Sequence, residues 1–224
     1  MPASADAGRL PGWRRVLAVV AHPDDESFGL GAVLERLASA SADVGVLCLT
    51  AGEASTHGKG PDLAGVRAGE LAQAAQELGL AATWLLHHRD GALADVAGPV
   101  LDGDVAAAVD DWRPDGLVVF DPLRGVTGHP DHAAASEAAV RVAAARGIPV
   151  LGWALPDSVS AVLNEEFGAD FAGYAADRLD LVVTVDRAGQ RRAIAAHASQ
   201  AVPGSVLWRR LELLGPHEYL RRLV

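Results

Sequence analysis

The sequence predicts a single α/β domain built on a doubly wound, mainly parallel sheet, and three observations carry that prediction. Apolar runs of strand length recur along the 224 residues, Ala/Leu-rich stretches of helical period separate them, and no repeat, low-complexity tract or long Pro/Gly linker divides the chain. Strands that are apolar without alternation are buried on both faces, as parallel strands covered by helices are. Strands are expected at Val16–Val20, Val44–Leu49, Thr83–Leu86, Leu117–Phe120, Val150–Trp153 and Leu181–Val185. Helices are expected around Phe28–Leu37, Leu63–Leu78, Val105–Trp112, His132–Ala145 and Gln190–Ala201. Residues 1–14 read as a frayed tail ahead of a domain spanning 15–224. Pro156–Ala176 reads as an irregular excursion near the mouth of the site. Trp208 onward, through His217-Glu218-Tyr219-Leu220, reads as a terminal amphipathic helix.

Composition excludes several classes of function. Half the residues are apolar, enough for a core without disulfides. The single cysteine, Cys48, lies in the apolar run VGVLCL and reads as a buried, inert thiol; a disulfide framework and a multi-cysteine metal site are excluded. A formal net charge of −10 argues against nucleic-acid binding, since no broad face would neutralise phosphates. No apolar run approaches the ~20 residues of a membrane span. The N-terminal MPASADAGRLPGWRR has no apolar stretch of the signal-peptide kind. A cytoplasmic protein without membrane insertion is therefore expected, and a homo-oligomer is compatible with the sequence.

In doubly wound sheets chemistry sits beyond the carboxyl ends of the strands. The first strand runs directly into His22-Pro23-Asp24-Asp25-Glu26. Three carboxylates so close together raise one another's pKa unless a cation offsets the repulsion. Helix capping accounts for one acid at such a position but not for the whole block. After the fourth strand come Thr127-Gly128-His129-Pro130-Asp131-His132, with Pro130 suited to a helix start and two histidines three residues apart on one side. Together the two segments offer a His/Asp/His donor set, which suits zinc (Zn2+) and also ferrous iron (Fe2+) or another divalent metal. An amide hydrolase needs a base and an acid besides, and Asp24 and His129 are the candidates.

AHPDDESFGLGAVL followed about a hundred residues later by GHPDH resembles the LmbE-like, or PIG-L, N-acetylglucosaminyl deacetylases. Supporting segments are Thr50-Ala51-Gly52-Glu53, Val66-Arg67-Ala68-Gly69-Glu70, Leu78-Gly79-Leu80, Asp90-Gly91-Ala92-Leu93 and Ala193-Ile194-Ala195-Ala196-His197-Ala198-Ser199-Gln200. The resemblance implies a Rossmann-like fold and a zinc-dependent hydrolase acting on an N-acyl sugar. It implies His22, Asp25 and His132 as metal ligands and Asp24 as general base. His129 would stabilise the oxyanion or protonate the amine, and Asp131 would orient a flanking histidine. Arg67, Asp90 and His197 would bind substrate. Where some members carry a Tyr two residues before the first His of HPDH, this chain has Thr127. Alternatives are an amidase acting on a thiol conjugate or natural-product sugar, and a non-catalytic sugar- or nucleotide-binding module.

Other residues read as structural. Gly29-Leu30-Gly31 lacks the third glycine of a dinucleotide fingerprint and suits close packing instead. His57, His87 and His88 read as loop histidines.

Overall fold

Alternate residues of the first strand, β1 (Arg15–Val20), face two separate apolar layers: Val16, Ala18 and Val20 one, Leu17 and Val19 the other. A strand with core on both sides must lie inside a sheet covered by helices on each face. The computed structural model describes residues 8–58 and 60–224. After β1 come α1 (Asp25–Phe28), α2 (Gly31–Ser39), β2 (Asp43–Thr50), α3 (Leu63–Leu78), β3 (Ala82–His88) and α4 (Gly98–Trp112). There follow β4 (Gly116–Phe120), α5 (Pro130–Arg146), β5 (Val150–Ala154), α6 (Asp157–Phe167), β6 (Leu181–Thr184), α7 (Ala188–Ala196), α8 (Val206–Leu214) and β7 (His217–Arg222). Of the expected tail 1–14, residues 1–7 lie outside the described residues, whereas Leu10 and Trp13 pack against the core.

The sheet has the order β3-β2-β1-β4-β5-β7-β6, parallel from β3 through β5, with β7 antiparallel to both neighbours. The predicted doubly wound, mainly parallel sheet is thus observed. Strand order reverses between β1 and β4, which opens a crevice at their carboxyl ends. Among the described residues no helix is long and apolar enough to cross a membrane.

Three expectations need correction. The stretch 156–176 is not irregular throughout, because α6 occupies its first half. The terminal helix stops at Leu214: Gly215 takes φ +54°, Pro216 follows, and the chain returns as β7. Glu218 and Leu220 of that strand face inward while Tyr219 and Arg221 are half-buried. A glutamate in the inward register hides the alternation, and it is tolerated because Arg187 and Trp153 Nε1 bind it. The helix expected through Ala201 ends at Ala196, followed by a turn at His197–Gln200.

Candidate metal centre

β1 and β4 deliver their histidines by different local means. At the end of β1, Asp25 Oδ2 accepts the backbone N–H groups of Ala21 (3.1 Å) and His22 (2.9 Å), leaving Oδ1 directed at His132 Nε2, 3.1 Å away. After β4, His129 caps α5: its Nδ1 accepts the N–H of Asp131 (3.2 Å), and Pro130 opens the helix. His132, one turn in, brings Nε2 to 3.1 Å from His22 Nδ1. His22 Nδ1 is in turn 3.6 Å from Asp25 Oδ2.

These separations come within a few tenths of an ångström of what a divalent cation requires. Tetrahedral zinc with bonds of ~2.0–2.2 Å to N and O places its donors roughly 3.3–3.6 Å apart. The surrounding carboxylates of Asp24, Asp25, Glu26, Asp90 and Asp131 face the cations Arg67 and His197, so a dication would relieve an excess of buried negative charge. His22, His129 and Asp131 also lie close enough to hold an ion. In that grouping, however, both Asp131 oxygens already accept N–H groups, from Gly91 (2.8 Å) and Leu93 (3.0 Å). In the His22/Asp25/His132 grouping, by contrast, Asp25 Oδ1 accepts no backbone N–H, since Oδ2 takes both.

Outer groups fix the rings. His22 Nε2 faces Asp90 Oδ1 at 3.0 Å and Asp131 Oδ2 at 3.4 Å. Burial works against the charged ring, but Asp131, Asp25 and Asp90 hold the His22 pKa well above its ordinary value. Burial also pushes the Asp25 carboxyl upward, yet His132 and His22 hold it well below the usual range. Thr127 Oγ1 lies 2.7 Å from His132 Nδ1, so a ring that offers Nε2 to a metal can donate its Nδ1–H to this hydroxyl. Gly125, at φ +55°, lets the loop approach the His132 Cβ, which a side chain there would strike. Gly29 likewise admits the Phe120 ring, the close packing its sequence position suggests.

Asp24 is held in a strained conformation. Its φ is +136° with ψ −25°, a region L-residues rarely enter. Its N–H donates to Glu26 Oε2 (2.9 Å), and Arg67 Nη2 donates to its Oδ2 (3.0 Å) and to the Pro23 carbonyl. Arg67 Nη1 donates to Gly52 O (2.7 Å). Burial pushes the Asp24 carboxyl up to about 6, with Arg67 working in the opposite direction. Behind the turn, His197 Nε2 lies 2.6 Å from Glu26 Oε1, both side chains fully buried. Burial opposes the His197 charge, but Glu26 raises its pKa.

A cavity of about 730 Å³ opens above these groups, a volume suited to a small-molecule ligand. His22, Asp24, Asp25, His129 and His132 line it, as do Arg67 and Asp90 of the expected substrate-binding set. Asp131 does not line it; it stands behind His22. His197 is a correction: at 0 % exposure it is not on the cavity wall, because Glu26 and the Phe28 ring enclose it. Arg67 is only 3 % exposed and spends its guanidinium on Asp24 and two carbonyls. Glu70 is not its partner, since it accepts the N–H and hydroxyl of Ser199. Asp90 Oδ2 accepts the Ala54 N–H (2.8 Å), tying the rim loop to the floor.

Sequence reasoning missed part of the wall. Phe120, Phe171, Leu207 and Arg210 line the cavity without belonging to any motif. The signal available for Arg210 is its place on the apolar stripe Leu207-Leu211-Leu214 of α8. His57 lies on the rim, exposed; His87 and His88 are not loop residues but the last two of β3, and His88 pairs with Asp104 (2.7 Å) outside the cavity lining. Cys48 is buried and its thiol pushed well up by burial, an inert group.

Comparison with known proteins agrees with this geometry. The PIG-L family, described as GlcNAc-PI de-N-acetylase, matches residues 17–143, more than half of the chain. A 1D-myo-inositol 2-acetamido-2-deoxy-alpha-D-glucopyranoside deacetylase of Kineococcus radiotolerans is 34% identical, with 88% of this chain and 71% of that protein covered. The enzyme of the same name from Mycobacterium avium is 32% identical over 85% of this chain and 81% of its own. Among solved structures, the N,N'-diacetylchitobiose deacetylase of Pyrococcus horikoshii superposes with a TM-score of 0.67 at 22% identity, covering 94% of this chain and 84% of that one. A conserved protein of Thermus thermophilus gives a TM-score of 0.69 at 24% identity, covering 95% of both chains. By its sequence match, its sheet topology and its two strand-end motifs, the chain belongs to the PIG-L family of deacetylases.

Proposed function

We propose that this chain is a metal-dependent N-deacetylase that hydrolyses the N-acetyl group of a glucosamine-type sugar or glycoside, with His22, Asp25 and His132 holding zinc or another divalent cation. The observation that carries the reading is the convergence of those three donors beside a strained, cavity-facing Asp24. A divalent cation bound there supplies Lewis acidity to the acyl carbonyl and acidifies water. Asp24 takes a proton from the water that adds to the carbonyl carbon. Its buried carboxylate is suited to the task, because Arg67 fixes one oxygen without removing the group from the cavity. His129 accepts the Asp131 N–H at Nδ1, so its neutral ring carries the proton at Nε2 and can donate. Burial, with the neighbouring His132 and His22, lowers its pKa and favours that neutral ring. The Nε2–H hydrogen-bonds the developing oxyanion, and the proton that Asp24 took from water passes to the departing nitrogen as the C–N bond breaks, giving acetate and a free amine. The deacetylase relatives support the substrate class.

Metal analysis of the purified protein, followed by turnover assays on N-acetyl sugars, tests the reading. Asp24→Asn should keep the metal and lose roughly a hundredfold or more in kcat. Normal turnover by that variant would remove Asp24 as base. A wild-type protein that neither binds nor responds to zinc or iron would point to a non-catalytic binding module.

A further inference from the structure

The cavity wall holds a cation that the chemistry above does not use. Arg210 of α8 is 5 % exposed and lines the cavity together with Phe28, Phe120 and Leu207. Its guanidinium lies over the Trp153 ring, 4.9 Å from the centroid, and Nη2 donates to the Phe28 carbonyl. Nε has no partner among the described residues. The natural counter-ion, Glu218, is already engaged: Oε1 takes Arg187 Nη1 and Oε2 takes Trp153 Nε1 at 2.7 Å. Arg187 is otherwise satisfied by Gln190 Oε1 (2.7 Å), Gly215 O (2.6 Å) and His217 O (2.8 Å). Glu218 thus pairs with Arg187, and Arg210 makes no ion pair with it. Burial lowers the Arg210 pKa to about 10; Glu218 and Asp25 only partly oppose it, and the positive charge of Arg187 adds to it. Packing explains the aliphatic stem and the stacked plane but not the charge, which is expensive to keep in an apolar wall.

We propose that Arg210 is an anion-recognition site within the substrate cavity, and that the preferred substrate is an acidic N-acyl sugar bearing a phosphate or carboxylate remote from the cleaved amide. The proposal rests on the deacetylase reading for the reacting end of the substrate only. His132 meets Phe120 edge-on (4.9 Å between centroids), Phe120 meets Trp153 (5.0 Å), and Arg210 lies over Trp153. The cation is thus two aromatic rings removed from the metal ligands, at the range of a substituent on the sugar or its aglycone. A guanidinium fork binds oxyanions by charge-assisted hydrogen bonds that strengthen where water is scarce. The carboxylates of Asp24 and Asp90 at the other end repel an anion, so the two ends together orient the substrate.

The test uses the zinc-loaded full chain with four probes: N-acetylglucosamine, its 1-phosphate, its 6-phosphate and its 6-carboxylate. At least one acidic probe should exceed the neutral sugar in kcat/KM by about tenfold or more, since a hydrogen bond to a charged group is worth that much. That ratio should fall by about tenfold in Arg210→Met and by less in Arg210→Lys, which keeps the charge but not the fork. Wild-type protein that treats all four probes alike overturns the proposal, as does a preference that survives in Arg210→Met. Titration calorimetry with glucosamine, glucosamine 1-phosphate and glucosamine 6-phosphate decides the matter without turnover. Phosphate-dependent binding that weakens in Arg210→Met supports the site, and equal Kd values in the two proteins overturn it. If no N-acyl sugar is hydrolysed but that binding difference holds, the deacetylase reading falls and the anion site stands.

Discussion

The two strand-end motifs look alike in sequence, yet the protein secures them by opposite means. The two histidines of the HPDH segment are organised locally, and only Asp131 between them reaches away, to the N–H groups of Gly91 and Leu93. Pro130 starts α5, His129 caps it, and Thr127, five residues before His132, meets that ring. The HPDD segment is held from afar. Asp24 sits at φ +136° because Arg67 of α3 and the Glu26–His197 pair, which joins the turn to the end of α7, leave it no alternative. A conformation costing ~1–3 kcal/mol persists only where the surroundings over-determine it. The helix start that carries His132 is therefore tolerant of distant change, and the turn that carries Asp24 is not.

Removing a distant support should break that contrast most severely. His197→Ala leaves Glu26 buried without its cation and should lower stability by about 3–5 kcal/mol, read from urea unfolding. The pair also carries a pH signature. The folded His197 pKa lies above its ordinary 6.5, so the folded state holds the proton more tightly. Its stabilisation is complete below about pH 6.5 and is lost as pH rises through the folded value. A double variant, Glu26→Gln with His197→Gln, should flatten the fall in stability above about pH 6.5; an unchanged slope would show that other groups dominate.

Arg67→Met comes next. Freed from its guanidinium, Asp24 should lose both orientation and charge, lowering kcat by roughly thirtyfold while metal content stays near that of the wild type. A variant that instead loses its metal would mean that the two motifs are not separately supported. The smallest effect is expected at the locally built motif. Thr127→Val should weaken zinc affinity by about tenfold in a chelator competition, and Thr127→Ser should restore most of it. Equal affinity in all three proteins would leave the His132 ring held by packing alone.

Much of this is legible in the sequence for a physical reason. Buried parallel strands announce themselves as uninterrupted apolar runs, and the β1 and β4 ends carry their chemistry in short contiguous blocks. Asp25 and His132 are brought together by the reversal of strand order, which the alternation of strands and helices already implies. What is illegible depends on pairing between distant positions. Glu218 conceals an inward-facing strand position because its partners, Arg187 and Trp153, lie far away in the chain. His197 looks like a ligand-binding residue until Glu26 is seen to enclose it, and Arg210 looks like surface charge until α8 turns it inward. Thr127 stands out in the sequence only as a departure from the family pattern, and its bond to His132 depends on a loop geometry that no motif encodes.

The position of β7 has a consequence for how the molecule is made. It is the last of the described strands in chain order, yet it lies between β5 and β6 rather than at an edge. During synthesis β6 emerges well before the strand that joins it to the sheet, and among the described strands it has no other to pair with. The same late strand carries Glu218, the carboxylate shared by Arg187 and stacked Trp153, so the wall that holds Arg210 also waits for it. The parallel half of the sheet can assemble from segments already released, whereas the remainder closes in a final insertion. Stalling or nicking the chain ahead of β7 should thus yield a species with His22, Asp25 and His132 present and its far cavity wall unmade.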